Sequence, residues 1–431
     1  MPQARLTPQT WLIAGVVAFI ALYALCDLNK FYALRYGADT GCLEQTLLNF
    51  WQSGTTVNGY ENRPHLAVHA TWSLLVLAPF VAAIPFTETL LAVKLLAVAL
   101  AAIPLYAFAR AAGLSRGPAV ALALAYLIAP TTQSAAYSNV TENAFVPLAA
   151  FSLALAVQRR NDVATFVLAL LLIGLKEDEA LFVGWFAAIA LVLAPSRRKI
   201  AALILALSAA DFAGYQIVEH AVGYASARPA YGYLPQHPLD VIVSLAAMLA
   251  PLAFAPLLLG WRMLFAIPLI AEISINGPWT VPLYGVGSHY TYPLVALMTI
   301  GAVIAATSRP RFGYAALALS GVVALVAGTT VMRPGRAFFV LDRSALATAQ
   351  QIRESGRTIV LPGEGEGIYA LAAPNLRVSL SSAPAATVAK CPGYNHNGRA
   401  FLASVGWGTW PSGVTLCGGA VVRAPGSTAD T

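Results

Sequence analysis

Charge is what this sequence has least of: only 10% of its 431 residues are Asp, Glu, Lys or Arg, while 58% are hydrophobic. A soluble domain carries about a quarter charged residues, so water is not the main solvent of this chain. Cysteine is scarce too. Four are present, with no CxxC and no Cys/His spacing of a zinc module, which excludes a disulfide scaffold and a classical zinc fold. An internal repeat and an HExxH protease motif are also missing. The formal charge of +7 is spread over short clusters and forms no continuous basic patch, which argues against nucleic acid as a partner.

What is abundant is apolar sequence of membrane length. A helix needs about 20 mostly apolar residues to cross roughly 30 Å of hydrocarbon, and such stretches recur from the N-terminus to about residue 332. The first apolar segment, Trp11 to Cys26, has no clear small-residue cleavage site and reads as a retained span rather than a signal peptide. Basic clusters orient the rest, because cytoplasmic loops hold excess Lys and Arg. Arg5, Arg110 to Arg116, Arg159 and Arg160, Arg197 to Lys199, Arg262, and Arg309 to Arg311 fall at intervals that allow an out-and-back pair of spans each.

The interval from Arg5 to Arg110 holds three apolar segments, and three crossings would invert every later loop. Thr71 to Pro85 is therefore expected to be a partly embedded helix that does not cross, within a first outer loop over 27–88. Further spans are expected at 117–131 and 143–158, 163–175 and 180–194, 200–218 and 240–259, 263–275 and 291–307, and 312–332. The expected fold is mainly α: a polytopic bundle of about eleven spans over 1–332, N-terminus cytoplasmic. Residues 333–431, rich in Gly, Ser and Pro, are expected to form a small extracytoplasmic α/β domain. Its helix candidate is Asp342 to Gly356, and its strand candidates are Thr358 to Leu361, Leu376 to Leu380 and Val414 to Val422. On that side of a bacterial inner membrane a Cys391 to Cys417 disulfide is plausible.

On this topology acids and histidines gather outside, at Asp39, Glu44, Glu61, His65, His69, Glu142, Lys176 to Glu179, His220, His237 and His289. Ionisable groups near hydrocarbon are costly and usually line cavities or aqueous paths. Asp39 could take a proton from an incoming hydroxyl, with Glu44 nearby, or be a solvated loop acid. His65 and His69, four apart, share a helical face that suits two metal ligands or simple interfacial hydrogen bonding. Lys176-Glu177-Asp178-Glu179 is either an internally paired turn or a place where an ammonium meets phosphate. Glu142 opens a span, where a carboxylate complements a helix N-terminus. Tyr290 and Tyr292 are interfacial aromatics in the simplest reading, and His289 between them and the preceding loop is harder to dismiss.

The order of these motifs resembles a family of bacterial and archaeal polytopic membrane proteins of unknown function, related to the GT-C superfamily of glycosyltransferases. The residues that carry the likeness are Asp39-Thr40-Gly41-Cys42-Leu43-Glu44-Gln45, His69 followed by Ala78-Pro79, Pro104-Leu105-Tyr106, Lys176-Glu177-Asp178, and His289-Tyr290-Thr291-Tyr292-Pro293. The resemblance implies transfer of a sugar from a polyprenyl-phosphate carrier to a lipid, glycan or protein acceptor on the extracytoplasmic face. Asp39 matches the acid of the first outer loop. A His-Pro-Glu-like element is replaced here by Asn139-Val140-Thr141-Glu142, which keeps the acid and loses the histidine.

Asp39 would then be the general base, with Glu44 and Glu142 orienting substrate or a divalent ion (Mg or Mn, candidate ligands Asp39 and Glu142). His69, Lys176 and His289 would stabilise the phosphate leaving group, and Gln45, Glu177, Asp178 and Tyr290 would complete the substrate contacts. The rival expectation is a transporter or flippase of lipid-linked sugars, in which the same groups relay protons or bind substrate. A noncatalytic scaffold presenting the C-terminal region is the third.

Overall fold

A computed structural model describes residues 7–32, 38–58, 61, 63–84, 87–222, 238–275, 291–327, 358–362, 377–381, 414–415 and 421–423. It is mainly helical. Helix α1 (Pro8–Tyr32) runs 25 residues and is followed by α2 (Ala38–Ser53), whose first turn holds Asp39. A single 3-10 turn, His65–Ala67, leads through the 3-10 helix Trp72–Leu77 into α3 (Ala78–Ala83). Next come α4 (Thr87–Leu100) and α5 (Ala102–Ala111), then α6 (Arg116–Ile128) and α7 (Pro130–Tyr137). The helices α8 (Val146–Gln158), α9 (Asp162–Ile173), α10 (Glu177–Leu193) and α11 (Arg198–Ala221) follow. The remaining helices include Pro238–Leu249, Ile267–Ile275, Tyr292–Ser308 and Arg311–Ala327.

Local chemistry sets several of these ends. Asn161 caps α9 by accepting the Ala164 N–H at 3.0 Å. Lys176, in extended conformation, precedes α10, whose first turn carries Glu177, Asp178 and Glu179 against the positive end of the helix dipole. Pro130 lacks an N–H and forces Ala129 to an extended ψ of 137°. The expected span over 117–131 is consequently bent, α6 and α7 meeting at 51°.

Among the described residues three helical stretches are long and apolar enough to cross a membrane, Pro8–Leu28, Thr87–Ala111 and Pro195–Ala221, or four if the bent α6–α7 pair is one span. Seven apolar helices are shorter, Trp72–Ala83 among them. The count of eleven crossings is thus not reproduced as eleven long helices. Hydropathy registers an apolar window whether or not its backbone is continuous, and several windows here are interrupted. The expected span over 240–259 breaks at Ala253 and Phe254, both with φ of 53°, and 3-10 helix Ala255–Ala266 follows. Tyr292–Ser308 and Arg311–Ala327, each 17 residues, lie at the short end of what can span.

The outward faces are apolar: Val163, Val192, Ile217 and Val326 are 70% or more exposed, an arrangement that suits lipid rather than water. Inside, α1 packs on α4 and α6, α5 on α6 and α8, and α10 on α11. Arg311–Ala327 also lies against α6, at a distance that only glycine allows, since a Cβ at Gly313 would stand 2.8 Å from the Pro118 carbonyl oxygen.

Beyond Ala327 the described residues are four short strands, β1 (Thr358–Pro362), β2 (Arg377–Ser381), β3 (Val414–Thr415) and β4 (Val421–Arg423). They pair in the order β2-β1-β4-β3, with β1 parallel to β2 and antiparallel to β4. The helix expected at 342–356, and Cys391 and Cys417, lie outside the described residues, so neither the α/β domain nor its disulfide is part of the described fold.

Candidate functional site

The polar centre is assembled from four pieces of chain: the start of α2, the segment 54–71, the segment 138–145 and the start of α10. Asp39 is exposed on the first turn of α2, and its Oδ2 accepts from the Asn139 amide at 3.1 Å. One residue on, the Thr40 hydroxyl accepts the Val140 N–H at 3.0 Å. These two links tie α2 to the segment carrying Glu142, which opens a 3-10 turn ahead of α8.

His65 is the hub. Its Nδ1 stands 2.9 Å from Glu61 Oε2 and 3.7 Å from Cys42 Sγ, and its Nε2 lies 3.6 Å from Glu142 Oε1. Asn58 orients the Glu61 carboxylate, donating to Oε2 at 2.7 Å while its own Oδ1 accepts the Glu61 N–H at 2.9 Å. Burial disfavours charge on His65, but the contacts with Cys42, Glu142 and Glu61 outweigh it and hold the imidazole well above its usual value. Burial likewise pushes Glu61 up. The hydrogen bond and charge of His65, with help from Asn58, overcome that and leave the carboxyl below its ordinary range. Burial raises the Cys42 thiol to about 12, so it is protonated in this arrangement.

His69 points elsewhere. Its Nδ1 lies 3.0 Å from Glu177 Oε1, while Glu177 Oε2 accepts the Ala70 N–H at 3.2 Å. Burial opposes protonation of His69, but the Glu177 charge and hydrogen bond prevail and raise its pKa. With its side chain about one-third exposed, His69 is a reachable cation donor. The two imidazoles meet edge to face at 5.7 Å and diverge to different carboxylates. Each is hydrogen-bonded to its own carboxylate, and the backbone between them is one short helical link, the His69 N–H reaching the His65 carbonyl at 2.8 Å.

Lys176 is nearly buried and pairs with Asp178 at 2.9 Å, the internally paired turn of the two readings above. Glu44 is fully buried on α2, away from the surface that Asp39 occupies, and Gln45 beside it is half-buried. His289 and Tyr290 lie outside the described residues. The described end of their motif, Tyr292, brings its hydroxyl to 3.3 Å from Ser138 Oγ, at the base of the segment carrying Glu142.

The sequence reading passed over a buried ion pair. Lys94, on α4, lies 3.0 Å from Asp27 on α1 and donates to the Ser138 carbonyl at 2.9 Å, while Lys30 donates to the Tyr137 carbonyl at 2.8 Å. Two lysines thereby satisfy carbonyls at the C-terminal end of α7, where unpaired acceptors and a negative dipole end favour cations. A lone lysine amid Leu91-Ala92-Val93 and Leu95-Leu96 was the visible signal. Cys42 as a partner of His65, and Asn58 as a partner of Glu61, were also missed.

Among the described residues one group of three His, Cys, Asp or Glu side chains is gathered closely enough to hold a metal ion: Cys42, Glu61 and His65, whose ligand atoms lie within 4.8 Å of one another. Asp39 and Glu142, the pair expected to hold Mg or Mn, are not members of that group.

Residues 35–218 match the family described as Predicted membrane protein (DUF2079), a family of unknown function. The match takes in every piece of the polar centre. No curated protein matches the chain. The protein is thus a membrane protein with apolar helices, whose match to that family spans this site.

Proposed function

We propose that this chain is a GT-C-type glycosyltransferase of a bacterial inner membrane, moving a sugar from a polyprenyl-phosphate donor to an extracytoplasmic acceptor. The observation that carries the reading is a chain of contacts: the exposed Asp39 is held by Asn139 on the segment of Glu142, Glu142 faces His65, and His65 meets His69, which is paired with Glu177. Asp39 takes the proton of the acceptor hydroxyl as that oxygen bonds to the anomeric carbon. The bond from that carbon to the phosphate oxygen breaks, and polyprenyl phosphate leaves with the electron pair. His69, whose protonated form Glu177 favours, donates to the departing phosphate and offsets its growing charge. Lys176 is committed to Asp178 and contributes through the field of the α10 N-terminus rather than as a free ammonium.

The second reading, translocation of a lipid-linked sugar, draws on the Asp27 and Lys94 pair within the helices. Lys94 is engaged at once by Asp27 and by the Ser138 carbonyl at the end of α7, which favours the enzyme. Full-length protein with radiolabelled polyprenyl-phosphate sugars separates the two. Release of the carrier by wild type, lost in Asp39→Asn, supports transfer; vectorial movement with the donor intact supports translocation and overturns the enzyme.

A further inference from the structure

We propose that Cys42, Glu61 and His65 form a binding site for a zinc-like transition-metal ion, separate from the transfer chemistry at Asp39. The donor set is one thiolate, one imidazole and one carboxylate, the mixture of soft and borderline ligands that selects zinc over magnesium. The three ligand atoms already lie close: Sγ to Nδ1 is 3.7 Å and Nδ1 to Oε2 is 2.9 Å, near the separations of about 3–4 Å set by metal bonds of about 2.0–2.3 Å. Three protein ligands leave the fourth tetrahedral position to water or a substrate oxygen.

The surroundings provide an independent argument. A metal-binding histidine hands its other ring N–H to a carboxylate, and a metal-binding carboxylate is itself hydrogen-bonded. His65 Nε2 is buried with no hydrogen bond inside ordinary range, yet faces Glu142 Oε1 at 3.6 Å. Glu61 Oε2 receives the Asn58 amide at 2.7 Å, and Asn58 is steadied in turn by donating to Thr46 Oγ1 at 3.1 Å. Without an ion, Glu61 and His65 satisfy one another. With one, the proton shared at Nδ1 and the thiol proton of Cys42 pass to solvent, and the metal takes their place. The ion would pin the segment 54–71 to α2 and fix His65 against Glu142.

Cobalt tests this without reference to activity. Full-length protein in detergent is stripped with chelator and titrated with Co(II) under reducing conditions, following the visible bands of a tetrahedral ion and the near-ultraviolet thiolate-to-cobalt band. One equivalent is expected to give both, Zn(II) to bleach both, and a 100-fold excess of Mg(II) to change neither. Cys42→Ser should lose the near-ultraviolet band, and Glu142→Gln should keep it while binding about 10- to 100-fold more weakly. The absence of a thiolate band in wild type overturns the site, as does the same band in Cys42→Ser. Should Cys42→Ser fail to fold, the wild-type spectrum and the Glu142→Gln titration still decide.

Discussion

Asn139 donates its side-chain amide to Asp39 across 3.1 Å although the two are a hundred positions apart, so the carboxylate at the start of α2 is aimed by the segment that carries Glu142. A base that must meet an incoming hydroxyl gains from a fixed orientation. Asp39→Asn is expected to lower the transfer rate by about 10²- to 10⁴-fold. Asn139→Ala, which leaves the base but frees its rotamer, is expected to cost about tenfold in kcat with little change in KM. Steady-state kinetics on both variants checks this, and equal kcat in a folded Asp39→Asn removes the residue from its role.

The Asp27 and Lys94 pair lets stability be tested apart from chemistry. Both side chains are almost fully buried, so removing one charge strands the other. Lys94→Met is expected to destabilise the protein by about 3–5 kcal/mol, whereas replacing both by apolar residues restores much of the loss. Thermal unfolding of the two singles and the double variant in detergent gives the comparison. A double variant no more stable than Lys94→Met would show that the Ser138 carbonyl, rather than Asp27, is the partner that matters.

Gly174 sits where α9 ends, and a Cβ there would run into the Trp72 indole. Its carbonyl accepts the Ser73 N–H at 2.9 Å, while Trp72 donates to Asp211 on α11 at 2.7 Å. Glycine at this one place lets the segment bearing His69 lie against Lys176 and Glu177. Gly174→Ala is expected to cost about 1–3 kcal/mol through overpacking and to shift the tryptophan emission. An unchanged melting temperature and spectrum would mean that Trp72 yields without strain.

Much of the architecture was legible because hydropathy and basic clusters report what the bilayer demands of a chain. The short Trp72–Ala83 helix follows from apolar length and proline, whereas α10 starts at Glu177, ahead of the span expected at 180–194, because first-turn acids suit a helix N-terminus. Backbone breaks were not legible, since Ala253 and Phe254 take left-handed φ with no glycine to announce it. The site was half visible. Asp39, His69, Glu142 and Glu177 stand out as ionisable groups beside apolar runs. Asn139 beside Asp39, Cys42 beside His65 and Asn58 beside Glu61 are ordinary residues whose importance comes from folding contacts that spacing does not encode, and Asp27 and Lys94 meet only because α1 packs on α4.

His69 and Glu177, 108 positions apart in sequence and 3.0 Å apart in space, provide the sharpest test of how the centre works. Glu177 does two things at once: it holds the imidazole in one orientation and raises its affinity for a proton. Glu177→Gln keeps an acceptor for the Ala70 N–H and removes the charge, so His69 becomes neutral over more of the physiological range. If His69 stabilises the departing phosphate as a cation, Glu177→Gln and His69→Ala should each reduce kcat by about 10- to 100-fold. The double variant should be little worse than either single, with a coupling of about 1–3 kcal/mol. Independent losses that add would mean that the two residues act on different steps, with Glu177 serving the α10 N-terminus and His69 the phosphate without it.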